Sequence, residues 1–78
     1  MIQVKYFGVI AEAAQRDSEN IAENNMTLAQ VLMELSTRHS LGDYHFQVAI
    51  NRKIVSEDSD QVLSDGDEIA FLPPFSGG

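Results

Sequence analysis

The sequence predicts an α+β fold in which a mixed sheet packs on one main helix. Three observations predict it. Apolar and polar residues alternate over the first seven positions, apolar residues recur once at helical spacing between Leu28 and Leu35, and strand-like patterning returns from Tyr44 onward. The elements follow in order.

Ile2, Val4 and Tyr6 alternate with Gln3, Lys5 and Phe7, the period of a strand with one buried face. Phe7 closes this strand and Gly8 breaks it. Residues 10–15 are alanine-rich, enough for one or two helical turns. Arg16-Asp17-Ser18 leads into a weaker strand over residues 19–23, in which Ile21 is the one large apolar side chain, and Asn24-Asn25 punctuates the chain. The next signal is the clearest. Thr27 caps a helix and Gln30 completes a capping box, while Leu28, Val31, Leu32 and Leu35 form an amphipathic stripe. Arg38 and His39 place positive charge in the last turn, and Gly42 suits the position just beyond it. The helix is placed at residues 28–39.

Tyr44, Phe46, Val48 and Ile50 alternate with His45, Gln47 and Ala49, which predicts a third strand. Asn51-Arg52-Lys53 turns the chain, Ile54-Val55 starts a short return, and residues 56–61 form a loop. In Ser64-Asp65-Gly66-Asp67 the glycine supplies a positive φ. Residues 68–72, with Ile69, Phe71 and Leu72, are the last strand, and Pro73-Pro74 cannot continue a ladder. The domain therefore spans residues 1–74, with 75–78 as a tail. A parallel pairing of the first and last strands, through a long crossover, closes the sheet around the helix as a β-grasp.

The chain has 78 residues, one domain at most, with 44% apolar and 22% charged residues. A domain of this size has a thin core and little room for an enclosed active site. Cysteine is absent, which removes disulfides, thiolate metal ligands and thiol nucleophiles. Five Lys and Arg against twelve Asp and Glu give a net charge of −7. Such a surface repels nucleic acid and anionic membranes but suits a partner with a basic face. With no signal peptide or apolar membrane span in view, a soluble, cytoplasmic protein is expected.

Few side chains suggest chemistry of their own. His39 and His45 lie on different elements without partners at ligand spacing, and both are expected at the surface. Glu57, Asp58, Asp60, Asp65, Asp67 and Glu68 form an acidic stretch that reads as a solvated edge or as a docking surface for a basic partner; the aspartates flanking Gly66 read as turn formers. Met26 and Met33 read as gap fillers. Phe7, Phe71 and Phe75 are expected to make an apolar patch near the exit of the tail, where a partner would bind.

The tail is the sharpest feature. A terminal Gly77-Gly78 offers a carboxylate that is ionised at neutral pH and is a poor electrophile. Activation requires conversion to a mixed anhydride such as an acyl-adenylate inside another enzyme. Glycines permit close approach from both sides and passage through a narrow channel. Residues 75–78, extended, would reach roughly 13 Å beyond the prolines.

Taken in order, several motifs resemble the ubiquitin-like MoaD/ThiS sulfur carriers, and among them the small subunits of molybdopterin synthase. They are Tyr6-Phe7-Gly8 with Glu12, Thr27-Leu28, Asn51, Leu63-Ser64-Asp65-Gly66-Asp67-Glu68, and Phe71-Leu72-Pro73-Pro74-Phe75-Ser76-Gly77-Gly78. One departure is Ala11, where that family often has arginine. The resemblance implies that an enzyme related to ubiquitin-activating enzymes adenylates Gly78 with ATP and magnesium. A sulfur donor system then converts the terminus to a thiocarboxylate. The large synthase subunit receives the tail, and sulfur passes to cyclic pyranopterin monophosphate to build the dithiolene.

In that scheme the carrier has no catalytic side chain and no stably bound cofactor, only AMP held transiently on Gly78. Gly77, Ser76, Phe75, Pro74 and Pro73 guide the tail, Phe7, Phe75 and Leu72 meet the partner, and the assembled synthase is a heterotetramer. A carrier for another product, such as thiamin thiazole, a ubiquitin-like conjugation of Gly78 to protein lysines, and a plain β-grasp interaction module are the competing expectations.

Overall fold

The computed structural model describes residues 1–22, 25–42, 44–56 and 59–73. Five strands and two helices follow one another as β1 (Ile2–Tyr6), α1 (Gly8–Ala14), β2 (Ser18–Ile21), α2 (Leu28–Arg38), β3 (Gln47–Ile50), β4 (Lys53–Val55) and β5 (Glu68–Leu72). The strands form one sheet in the order β2-β1-β5-β3-β4. β1 and β5 run parallel, with Val4 beside Ile69, and the other neighbours run antiparallel. This is the expected β-grasp, with the first and last strands side by side at its centre.

Strand parity assigns the two faces. Ile2, Val4, Tyr6, Val48, Ile50, Ile69 and Phe71 point inward and are buried. They share one core with Leu28, Val31, Leu32 and Leu35 of α2, Ile10 and Ala14 of α1, and the loop residues Leu41 and Leu63. Burying these side chains is the main favourable term for so small a domain. The α2 entry is the expected capping box: Gln30 N–H donates to Thr27 Oγ1 (3.2 Å) and Thr27 N–H to Gln30 Oε1 (2.9 Å).

The boundaries differ from expectation where pairing, rather than side-chain pattern, decides them. The second strand covers Ser18–Ile21 instead of residues 19–23, because its partner β1 begins at Ile2, which pairs with Ile21. Tyr44 and Phe46 alternate like strand residues, yet β3 starts at Gln47. Gln47 pairs with Leu72, the last residue of β5, and Pro73 beyond it has no N–H to extend the ladder. The first helix begins at Gly8, not at residue 10, so this glycine (φ +58°) opens the helix as well as ending the strand.

At the end of α2, His39 is the capping residue and Ser40, not Gly42, takes the left-handed conformation (φ 56°). Leu41 N–H then returns to Ser36 O (2.9 Å), and the Leu41 side chain drops into the core, which fixes the exit at Ser40. The β3–β4 connection is tight, with positive φ at both Asn51 (49°) and Arg52 (72°), the hairpin geometry whose twist matches the flanking strands.

Three side-chain expectations are corrected. Met33 is 73% exposed on α2 and fills no gap, whereas Met26 does pack against the core. Phe71 is fully buried and belongs to the core, not to a surface patch. His39 is not a surface residue: its side chain is only 7% exposed and touches Glu19.

Candidate functional site

The route to the tail is set by β5, an inner strand paired on both sides, with its inward residues Ile69 and Phe71 buried. Phe7 N–H donates to Phe71 O (3.1 Å), which carries the parallel pairing to the strand's end. Pro73 follows and lies against Gly8. A Cβ placed on Gly8 would come within 2.8 Å of the Pro73 ring, so the bare backbone of Gly8 makes a seat for the first residue past the sheet. Pro74, Phe75, Ser76, Gly77 and Gly78 lie outside the described residues, as do Glu57 and Asp58 of the acidic stretch and Glu23 and Asn24.

Around this exit the outward side of the sheet is low and partly apolar. Cross-strand register places Ala70 between Lys5 and Ala49, and Ala49 beside Ile54. Phe7 (43% exposed) and Leu72, both expected to meet a partner, lie on this outward side at the end from which the tail leaves. Lys5 Nζ pairs with Glu68 Oε2 at 3.1 Å across the two central strands. Gln47, opposite Leu72, keeps its Oε1 buried with no hydrogen-bond partner. Phe7 and Leu72 therefore converge at one place, and Phe71 does not join them.

Sequence reasoning missed a polar network on the inward side of the sheet, where β1 and β2 meet the end of α2. Tyr6 Oη donates to Glu19 Oε2 (2.5 Å), His39 Nε2 meets the same oxygen (2.7 Å), and Arg38 (3.3 Å) and Arg16 (3.6 Å) approach Oε1. An ionised carboxylate only accepts, so His39 must carry its proton on Nε2. Burial pushes the Glu19 carboxyl up. The bonds donated by Tyr6 and His39, with the charges of His39 and Arg16, outweigh burial and hold it below the ordinary carboxylate range. The Tyr6 hydroxyl is held well above its ordinary value, by burial first and then by its bond to Glu19. The network ties edge strand β2 to the end of α2 and supports Tyr6, whose ring lies 5.4 Å from that of Phe71.

A second network pins the turn before β5. Asp67 Oδ2 accepts from Ser64 N–H (2.8 Å), its Oδ1 accepts from Asn51 Nδ2 (3.2 Å), and Asn51 Oδ1 accepts from Glu68 N–H (3.0 Å). The Ser64 and Asn51 bonds hold the Asp67 carboxyl below its ordinary value. The reading of Asp67 as a turn former is thus confirmed. Among the described residues no group of three or more His, Asp or Glu is arranged to hold a metal ion, and no helix is long and apolar enough to cross a membrane.

Known proteins resemble this chain over its whole length. The ThiS family profile matches residues 4–78. A human protein named molybdopterin synthase sulfur carrier subunit is 40% identical over 83 aligned positions, covering 99% of this chain and 93% of the relative. The protein of that name from Escherichia coli K12 is 31% identical, with each chain covered in full. In a solved complex of subunits 1 and 2 of molybdopterin-converting factor from Helicobacter pylori, the matching chain superposes with a TM-score of 0.72 at 25% identity, over 99% of this chain and 97% of that one. The profile match and both full-length relatives assign the chain to the ThiS family.

Proposed function

We propose that this chain is the sulfur carrier subunit of a molybdopterin synthase, with Gly78 as its reacting residue. The single observation behind this reading is the agreement of two full-length relatives bearing that name with a chain that ends in Pro-Pro-Phe-Ser-Gly-Gly. The exit of β5 beside Gly8 suits the role, since an inner strand gives the tail a fixed point of departure.

In this reading an adenylating enzyme joins the Gly78 carboxylate to the α-phosphate of ATP and pyrophosphate leaves. Sulfur delivered at the oxidation level of sulfide attacks the acyl carbon, AMP leaves, and a thiocarboxylate remains. The tail then enters the large synthase subunit, where the thiocarboxylate sulfur attacks a carbon of the pterin precursor and displaces an oxygen substituent. Water then cleaves the resulting thioester at its acyl carbon, which leaves the sulfur on the pterin and returns the terminus to a carboxylate. Proton transfer and substrate orientation belong to the partners, so the carrier supplies position and a reactive end. The outward patch of Phe7 and Leu72 rests on the large subunit in this reading; a partner of that kind is supported by the two-subunit Helicobacter pylori complex.

The family match also admits a carrier serving thiazole formation, which differs in its acceptor rather than in its tail. Deleting Gly78 tests the carrier reading. Sulfur transfer to cyclic pyranopterin monophosphate should be abolished, with thermal unfolding and large-subunit binding nearly unchanged. Activity that survives the deletion would rule out terminal chemistry.

A further inference from the structure

A groove of about 440 Å³ opens on the outward side of β1 and β2, where α1 begins. Gln3 and Lys5 line it with Ser18, which pairs with Lys5 across the strands, and Phe7, Gly8 and Ala11 line it from the start of α1. Tyr6 and Asp17 complete the lining, the Asp17 backbone oxygen accepting from Tyr6 N–H at 2.8 Å. A volume in this range holds a ligand group rather than a single water.

The placement of positive charge leaves Asp17, like Glu12 and Asp60, without a counterion among the described residues, and of these three Asp17 lines the groove. Of the chain's five Lys and Arg, Lys5 is held by Glu68, Arg16 reaches Glu19, and Arg38 lies between Glu19 and Glu34. Arg52 and Lys53 sit at the β3–β4 turn, on the far edge of the sheet from β2. The amino group of Met1 pairs with Asp65, and His39 is held by Glu19. Asp17 is exposed, and its carboxylate has no ion-pair or hydrogen-bond partner among the described residues. Glu19, two positions on, has four partners. With Lys5, the one cation in the lining, paired to Glu68, Asp17 is open to a cation from another molecule, and the net charge of −7 favours a basic partner.

The rest of the lining selects among cations. An exposed aromatic ring and an alanine beside a bare carboxylate suit a planar, weakly hydrated guanidinium on an aliphatic stem better than a compact ammonium. We propose that this groove receives an arginine side chain of a partner protein, its guanidinium on the Asp17 carboxylate and the Phe7 ring and its stem over Ala11. Capture of arginine here is independent of the chemistry at Gly78, so each can fail without the other.

Titration of the intact chain with Nα-acetyl-arginine N-methylamide at constant ionic strength, followed by amide NMR, tests this. Saturable shifts are expected at Phe7, Gly8, Ala11, Asp17 and Ser18, with a dissociation constant on the order of 10 mM and at least about threefold tighter binding than the lysine analogue. Asp17→Asn should remove the shifts, and so should Ala11→Arg, which fills the groove from within. Equal shifts with the leucine analogue would show an apolar occupant. Shifts spread over Asp60, Asp65 and Asp67 would show unselective charge pairing. Either result, or no saturable shift at all, overturns the proposal.

Discussion

The inward side of the sheet carries Ile2, Val4, Tyr6, Val48, Ile50, Ile69 and Phe71, buried beneath the helices, whereas the outward side carries Gln3, Lys5, Ala49, Glu68, Ala70, Leu72 and Ile54. Both sets come from the same strands by alternation. The inward set is large, apolar and closed by its own chain. The outward set is small at its centre, crossed by an ion pair, and bounded by Phe7, Leu72, an unpartnered Gln47 Oε1 and a bare Asp17. One side is finished by folding; the other has the shape and charge of a surface completed by a partner.

That difference can be broken by substitution. Phe71→Ala should have the largest effect, about 3–5 kcal/mol of stability lost in chemical denaturation, because its ring packs with Tyr6 and Phe46 in a full core. A loss under about 1 kcal/mol would mean that the inward face is not what holds the domain together.

Next comes Glu19→Ala, which leaves the Tyr6 hydroxyl and His39 without their acceptor and should cost about 1–3 kcal/mol. It should also change the pH dependence. The Glu19 carboxyl is held low, so its contribution is present above the ordinary carboxylate range and is lost as pH falls through its lowered value. The Tyr6 hydroxyl is held high, so its contribution is complete below 10.0 and is lost as pH rises toward its raised value. Stability measured across pH should show both limbs in the parent and a reduced acid limb in the variant. An unchanged acid limb would place the acid-sensitive group elsewhere.

The smallest stability effects belong outside. Lys5→Gln breaks a half-exposed ion pair and should shift stability by at most about 1 kcal/mol. Phe7→Ala should likewise fold normally, yet weaken large-subunit binding by tenfold or more, the behaviour of an aromatic anchor. Loss of fold with either variant would erase the distinction between the two faces.

The parts legible in the sequence are those written locally. β1 and α2 follow from periodicity and from the Thr27–Gln30 box, while the proposal for the tail rests on residue types alone. Element ends were less legible because the partner strand sets them, as Ile2 does for β2 and Leu72 does for β3. The Glu19 network was not legible, since Tyr6, Glu19 and His39 come from three separate elements and no local pattern links them. The seat of Pro73 on Gly8 was hidden for the same reason, and Phe71 was misjudged because a strand-end phenylalanine does not declare its face until register is known. For the site, the sequence could name Phe7 and Leu72; only the parallel β1–β5 pairing places them together at the exit.

The central claim is that the cargo rides on the main-chain carboxyl of Gly78, since the chain has no cysteine to carry sulfur. Intact-mass measurement of the full chain, after incubation with an adenylating enzyme, ATP and a sulfur donor, tests it most directly. The predicted result is a gain equal to exchange of one oxygen for one sulfur, located on the C-terminal peptide and absent when Gly78 is deleted. An unchanged mass, or sulfur found on any other residue, would contradict it.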